Sequence, residues 1–127
     1  MSGKDYRGLI VWKKSFELVL AIYQQTAHFP VEEKYGMSAQ LRRAGVSIPS
    51  NIAEGQGRDS RGEFLHHLLI ARGSLKEVET QLLIARALGY MKLEAASKLI
   101  EMAAEVGKLI NGLLRSLRSN RSATANC

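Results

Sequence analysis

The chain reads as an all-α protein: an up-down antiparallel four-helix bundle with a proline-kinked second helix. Three observations predict this. Apolar residues recur at intervals of three and four along four separate segments, and nothing alternates with a period of two. Start and stop signals bound those segments. The turn Tyr90-Met91-Lys92 is short, which returns the fourth helix antiparallel to the third. The bundle takes residues 1–117, and a flexible basic tail rich in Ser, Asn and Arg follows over 118–127.

The first helix runs from about Trp12 to Ala27. Phe16, Leu18, Val19, Leu20, Ala21, Ile22 and Tyr23 are apolar almost all round, which predicts a well-buried helix. Phe29-Pro30 ends it, and Glu32 and Glu33 suit the start of the turn that follows.

The second helix runs from about Ser38 to Gln56, with Leu41, Gly45, Ile48 and Ile52 as its apolar stripe. Pro49 lies inside it. A helix-interior proline costs roughly 3 kcal/mol through a lost hydrogen bond and a clash with the carbonyl four residues back. That carbonyl belongs to Gly45, and Ser47 and Ser50 flank the proline, so the segment is built around a bend. Gln40, Arg43, Ser47, Ser50, Asn51, Glu54 and Arg58 form a polar line on this helix. The line fits a solvated face, a polar contact between helices or subunits, or a ligand site. Gly55 and Gly57 read as its stop signal.

Ser60 with Glu63 three residues on is a capping box that opens the third helix, from about Arg61 to Leu88. Phe64, Leu68, Ala71, Leu75, Val78, Leu82 and Ala85 alternate by four and three, the seam of left-handed helix packing. Gly89 stops it. The fourth helix runs from about Leu93 to Leu117 with two adjacent seams, one through Ala96, Ala103 and Ile110, the other through Leu99, Val106 and Leu113. The apolar faces of the first and fourth helices exceed what one bundle hides, which predicts association with further copies.

At 127 residues, 46% hydrophobic and 24% charged, the composition is that of one soluble globular domain. No apolar run approaches the roughly 20 residues of a membrane span, and the start does not read as a signal peptide. Cys127 is the only cysteine, so no disulfide forms within the chain. A reducing, cytoplasmic location fits. His28, His66 and His67 are the only histidines, and no metal, nucleotide or nucleophile motif is present. No enzyme, metal or cofactor is expected. Trp12, Tyr6 and Tyr23 read as core aromatics rather than base-stacking platforms. The net charge of +6 favours anionic partners, nucleic acid first, and no acidic residue follows Glu105.

Four motifs recur together in a known family. They are Leu9-Ile10-Val11-Trp12-Lys13-Lys14-Ser15; Phe29-Pro30 followed by Glu33-Lys34-Tyr35-Gly36-Met37; Gln40 through Gly55 with its Ser47-Ile48-Pro49-Ser50-Asn51-Ile52-Ala53-Glu54-Gly55 core; and Ala71 through Glu79 with Leu88-Gly89-Tyr90. The chain resembles the bacterial four-helix-bundle proteins encoded in intervening sequences of large-subunit ribosomal RNA genes, a group that includes the accessory variability protein of diversity-generating retroelements. The resemblance implies a bundle that assembles into an oligomeric barrel, a homopentamer. It also implies association with nucleic acid and, in the retroelement relative, with a reverse transcriptase.

Charge and resemblance together point to a non-enzymatic oligomer that binds nucleic acid, RNA above all. The candidate contacts are Arg42, Arg43, Arg58, Arg61, Arg72 and Lys76, with Arg115, Arg118 and Arg121 as auxiliaries. Phosphate contact alone carries little sequence specificity. The alternative is a protein-interaction scaffold with incidental polyanion binding.

Overall fold

In the computed structural model, which describes residues 5–126 and side chains through Ser119, four helices carry the chain. They are α1 (Ile10–Thr26), α2 (Met37–Gln56), α3 (Arg61–Ala87) and α4 (Leu93–Asn126), with single 3₁₀ turns at Tyr6–Gly8 and Val31–Glu33. α1 packs on α2 and α4, and α3 packs on α2 and α4, so the helices form a closed square. There are no strands among the described residues, and no helix there is long and apolar enough to cross a membrane.

Local chemistry sets most boundaries. The Ser60 hydroxyl accepts from the Glu63 backbone N–H at 3.0 Å, as the capping box requires. Gly89 has a φ of +77°, and the Tyr90 and Gly89 N–H groups donate back to Ala85 O and Arg86 O at 2.9 and 3.0 Å. This pair of bonds closes α3 with the left-handed residue only glycine adopts cheaply. α2 lacks a cap from its neighbour Gly36. Its first N–H, on Met37, donates instead to Glu33 Oε1 at 2.9 Å. The Tyr90 hydroxyl donates to Glu33 Oε2 at 2.7 Å, and the Tyr90 ring lies 5.4 Å from that of Phe29. Glu33 therefore ties the α1–α2 connection, the start of α2 and the α3–α4 turn together. The Met37 N–H, and after it the Tyr90 hydroxyl, hold the Glu33 carboxyl below the usual carboxylate range; the same carboxylate raises the Tyr90 phenol.

The core follows the apolar stripes. Leu41, Gly45, Ile48 and Ile52 of α2 are all buried, as are Leu68, Ala71, Leu75, Val78, Leu82 and Ala85 of α3; Phe64, at the start of that seam, is half-buried. Each fully buried leucine or isoleucine contributes about 1.5–3 kcal/mol relative to exposure. α2 passes through the buried Pro49 without interruption. α2 comes close to α1 at Gly45, where a Cβ would lie 3.0 Å from the tip of Ile22, its Cδ1.

Three expectations need correction. α1 is not buried all round, because Phe16, Leu20 and Tyr23 are exposed while Leu18 and Ile22 are fully buried. α4 hides both seams against its two neighbours, α3 and α1, leaving only Leu93 strongly exposed among its large apolar side chains. The second surplus instead lies on α3, where Ile70, Leu83 and Ile84 face outward. Finally, the α4 backbone continues helically to Asn126 rather than giving way to a tail at Leu117. No glycine or proline follows Gly112 to stop it. Cys127 lies outside the described residues.

Candidate nucleic-acid interface

The polar line of α2 divides into three parts. Its middle is an interhelix contact. The hydroxyls of Ser47 and Ser74 lie 2.8 Å apart across the α2–α3 seam. Asn51 Nδ2 donates to Ser47 O at 2.8 Å and to Ser47 Oγ at 3.0 Å. Asn51 Oδ1 then faces His67 Nδ1 at 3.1 Å. An amide oxygen only accepts, so His67 Nδ1 carries the proton. Sequence pattern does not single out Ser74 or His67, because their partners lie on another helix.

Gln40 and Arg43 border a cleft of about 310 Å³ between α2 and α3, shared with Ser47, Ser74, Glu77 and Gln81. Gln81 Oε1 is enclosed there without a hydrogen-bond partner. At the other end of the line, Arg58 donates to Glu54 at 2.9 Å and lies 3.9 Å from Glu63. Gly55, next to that pair, is buried against α3 rather than serving only as a stop signal.

The nine candidate basic residues separate by their partners. Arg42 turns toward α1: its Nε donates to Thr26 Oγ1 at 2.8 Å, and its guanidinium carbon lies 4.6 Å from the Tyr23 ring centroid. Its neighbour Arg43 is exposed and makes no hydrogen bond or ion pair with a described residue. Arg72 bridges α3 to α4 through Asn111 Oδ1 at 3.3 Å, and Lys76 pairs with Glu79 at 3.4 Å. Arg61, Arg115 and Arg118 are exposed with no hydrogen bond or ion pair to a described residue. The Arg121 side chain lies outside the described residues.

The up-down topology brings the α2–α3 turn and the last part of α4 to one end of the bundle. Arg58, Arg61, Arg115 and Arg118 therefore share that end, with Arg58 already neutralised. Arg42, Arg43 and Lys76 do not join them. Tyr6 meets Trp12 edge-on and Trp12 lies tilted on Phe16, at 5.3 and 5.1 Å between ring centroids, beside Val46 and Pro49. Among the described residues, no group of three or more His, Cys, Asp and Glu side chains could hold a metal ion.

The model of the 23S rRNA-intervening sequence protein family matches residues 7–112. The chain belongs to that family. The match spans the bundle through most of α4 and stops before Arg115. Among solved structures, the chain is similar to a protein of unknown function from the S23 ribosomal protein family of Bacteroides thetaiotaomicron VPI-5482. The two share 29% sequence identity with a TM-score of 0.78, over 84% of this chain and 96% of that one. No curated protein matches the chain. The intervening-sequence family thus accounts for the fold and for the motifs in α1, α2 and α3.

Proposed function

We propose that this intervening-sequence family member is a non-enzymatic oligomer, a pentamer, that binds nucleic acid, RNA foremost, through basic surface at one end of its bundle. The observation that carries this reading is the trio Arg61, Arg115 and Arg118: exposed, free of ion pairs with described residues, and on an end where α4 contributes no acidic residue after Glu105. Each exposed arginine that meets a phosphate releases condensed counterions, and such contacts add around a ring of copies. Five copies of a +6 chain would carry about +30.

The test is fluorescence anisotropy of labelled RNA with nuclease-treated protein at low and near-physiological salt. Affinity should survive at the higher salt. The triple variant Arg61→Glu, Arg115→Glu, Arg118→Glu should flatten the logarithmic salt slope by roughly 1 for each phosphate that a chain no longer neutralises. An unchanged slope in the variant would overturn the assignment.

A second reading is favoured by a different observation. An apolar groove of about 340 Å³ between α1 and α2, lined by Trp12, Phe16, Leu20 and Val46 among others, suits a protein partner. RNA affinity that vanishes at physiological salt supports this scaffold reading.

A further inference from the structure

The connection between α1 and α2 folds over a second cleft, of about 250 Å³, at the end of the bundle away from Arg61. Its polar lining is Thr26, Lys34, Ser38 and Arg42, and none of its lining residues is acidic. Three of these side chains carry hydrogen-bonding capacity that packing does not use.

Arg42 is held as a fixed donor. Its Nε is anchored on Thr26 Oγ1 at 2.8 Å, its face lies on Tyr23, and Thr26 directs its own proton to Ile22 O at 2.8 Å. Neither Nη donates to a described residue, and no carboxylate among them pairs with the guanidinium. Ser38 is 5% exposed as a residue, and its hydroxyl, which keeps contact with solvent, has no hydrogen-bond partner among the described residues. A helix serine whose hydroxyl is not bonded back to a carbonyl keeps its donor available to a ligand. Lys34 has no acidic partner; its ammonium rests 5.5 Å from the Tyr35 ring at the surface. The neighbouring acids do not compete closely. Both Glu33 oxygens are taken, by Met37 N and the Tyr90 hydroxyl, and Glu32 is exposed on the 3₁₀ turn.

The geometry points to a phosphate-binding site in this cleft, with the Arg42 guanidinium and Lys34 ammonium supplying charge and the Ser38 hydroxyl a further donor. A guanidinium fixed at Nε presents its remaining N–H groups in the fork that matches phosphate oxygens. Phe29, 7% exposed, forms part of the lining and strengthens these bonds by excluding water. The RNA reading above supplies the natural ligand, a phosphate of the strand, and the inference rests on that reading only for the ligand's source.

The test titrates inorganic phosphate into the full chain by calorimetry, at ionic strength held constant with chloride. Saturable binding is expected. Lys34→Gln should weaken it about tenfold and Ser38→Ala about fivefold, the losses expected for a charged and a neutral hydrogen bond. Neither change threatens the fold, since Lys34 is exposed and the Ser38 hydroxyl is unpaired among the described residues. Lys13→Gln, at an exposed lysine outside the cleft, should leave phosphate binding unchanged. Absence of saturation, or an affinity unchanged from the parent in both cleft variants, would overturn the site. RNA with and without a 5′-phosphate then separates the sources. Preference for the phosphorylated strand that is lost in Lys34→Gln identifies a terminal phosphate, and equal losses on both strands identify the backbone. Phosphate binding without RNA binding keeps the site and ends the RNA reading; RNA binding without phosphate saturation does the reverse.

Discussion

Gly55 shows how much one missing methyl group can decide. α3 crosses α2 so closely that a Cβ at this position would lie 2.6 Å from His67 Cβ and 3.1 Å from Phe64 Cδ1. His67 Cβ is fixed to its backbone and cannot swing aside. Gly55→Ala should therefore cost about 1–3 kcal/mol by overpacking, offset by less than about 1 kcal/mol of improved helix propensity. Gly73, in the middle of α3, has nothing within 4 Å of where a Cβ would lie, and it should respond with the opposite sign. Gly73→Ala should stabilise by about 0.5–1 kcal/mol. Urea denaturation of the two variants checks both signs. Sequence pattern identifies Gly55 only as a stop signal, because the atoms that forbid a side chain belong to another helix. Arg42 and Arg43 pose the same problem. They are adjacent in sequence, but adjacent residues on a helix point in different directions. One is consequently fixed against α1 while the other borders the α2–α3 cleft.

At the scale of elements, boundaries written in local chemistry are legible in the sequence and those written across the bundle are not. Ser60 with Glu63, and Gly89 after Leu88, can be read directly because cap and helix are contiguous. The cap of α2 comes from Glu33, whose second partner, Tyr90, is 57 residues away. No window of sequence contains that triangle. The end of α4 is illegible for another reason. Polar composition after Leu117 suggests a stop, but polar residues do not break a helix, and no glycine or proline follows Gly112. The Glu33 triangle has a pH signature. Its carboxyl is held below the usual range, so the unfolded chain binds this proton at higher pH than the folded chain. The stabilisation is complete above the unfolded carboxylate pKa and fades as pH falls through the lowered folded value. Glu33→Gln should lower the melting temperature at neutral pH, with the gap to the parent closing in acid. A gap that stays constant across that range would show that the carboxylate charge contributes nothing.

At the scale of the whole molecule, the four-helix architecture is legible from the stripes, but the location of the excess apolar surface is only half so. A helix at the corner of a square touches two neighbours, which is why the two seams of α4 are consumed inside the chain. α1 retains Phe16, 45% exposed, and Leu20, 52% exposed, while α3 contributes Ile70 and Leu83, whose positions fall outside its regular seam. Light scattering should accordingly give a mass well above the 14.0 kDa of one chain. Leu20→Glu should shift the population toward monomer without unfolding it, since Leu20 lies outside the core. A monodisperse 14.0 kDa species for the parent would refute the assembly. The chain of polar groups from Ser74 through Ser47 and Asn51 to His67 bears on a different matter, the choice among alternative packings. If α3 slid one turn one way, Val78 and Ala71 would take the places of Ser74 and His67; one turn the other way, Ile70 and Glu63 would. Either slip strands the Asn51 and Ser47 groups beside aliphatic side chains, or brings a carboxylate to face an amide oxygen. The four side chains thus act as a vernier between two otherwise smooth apolar surfaces, penalising misaligned pairings far more than they strengthen the correct one.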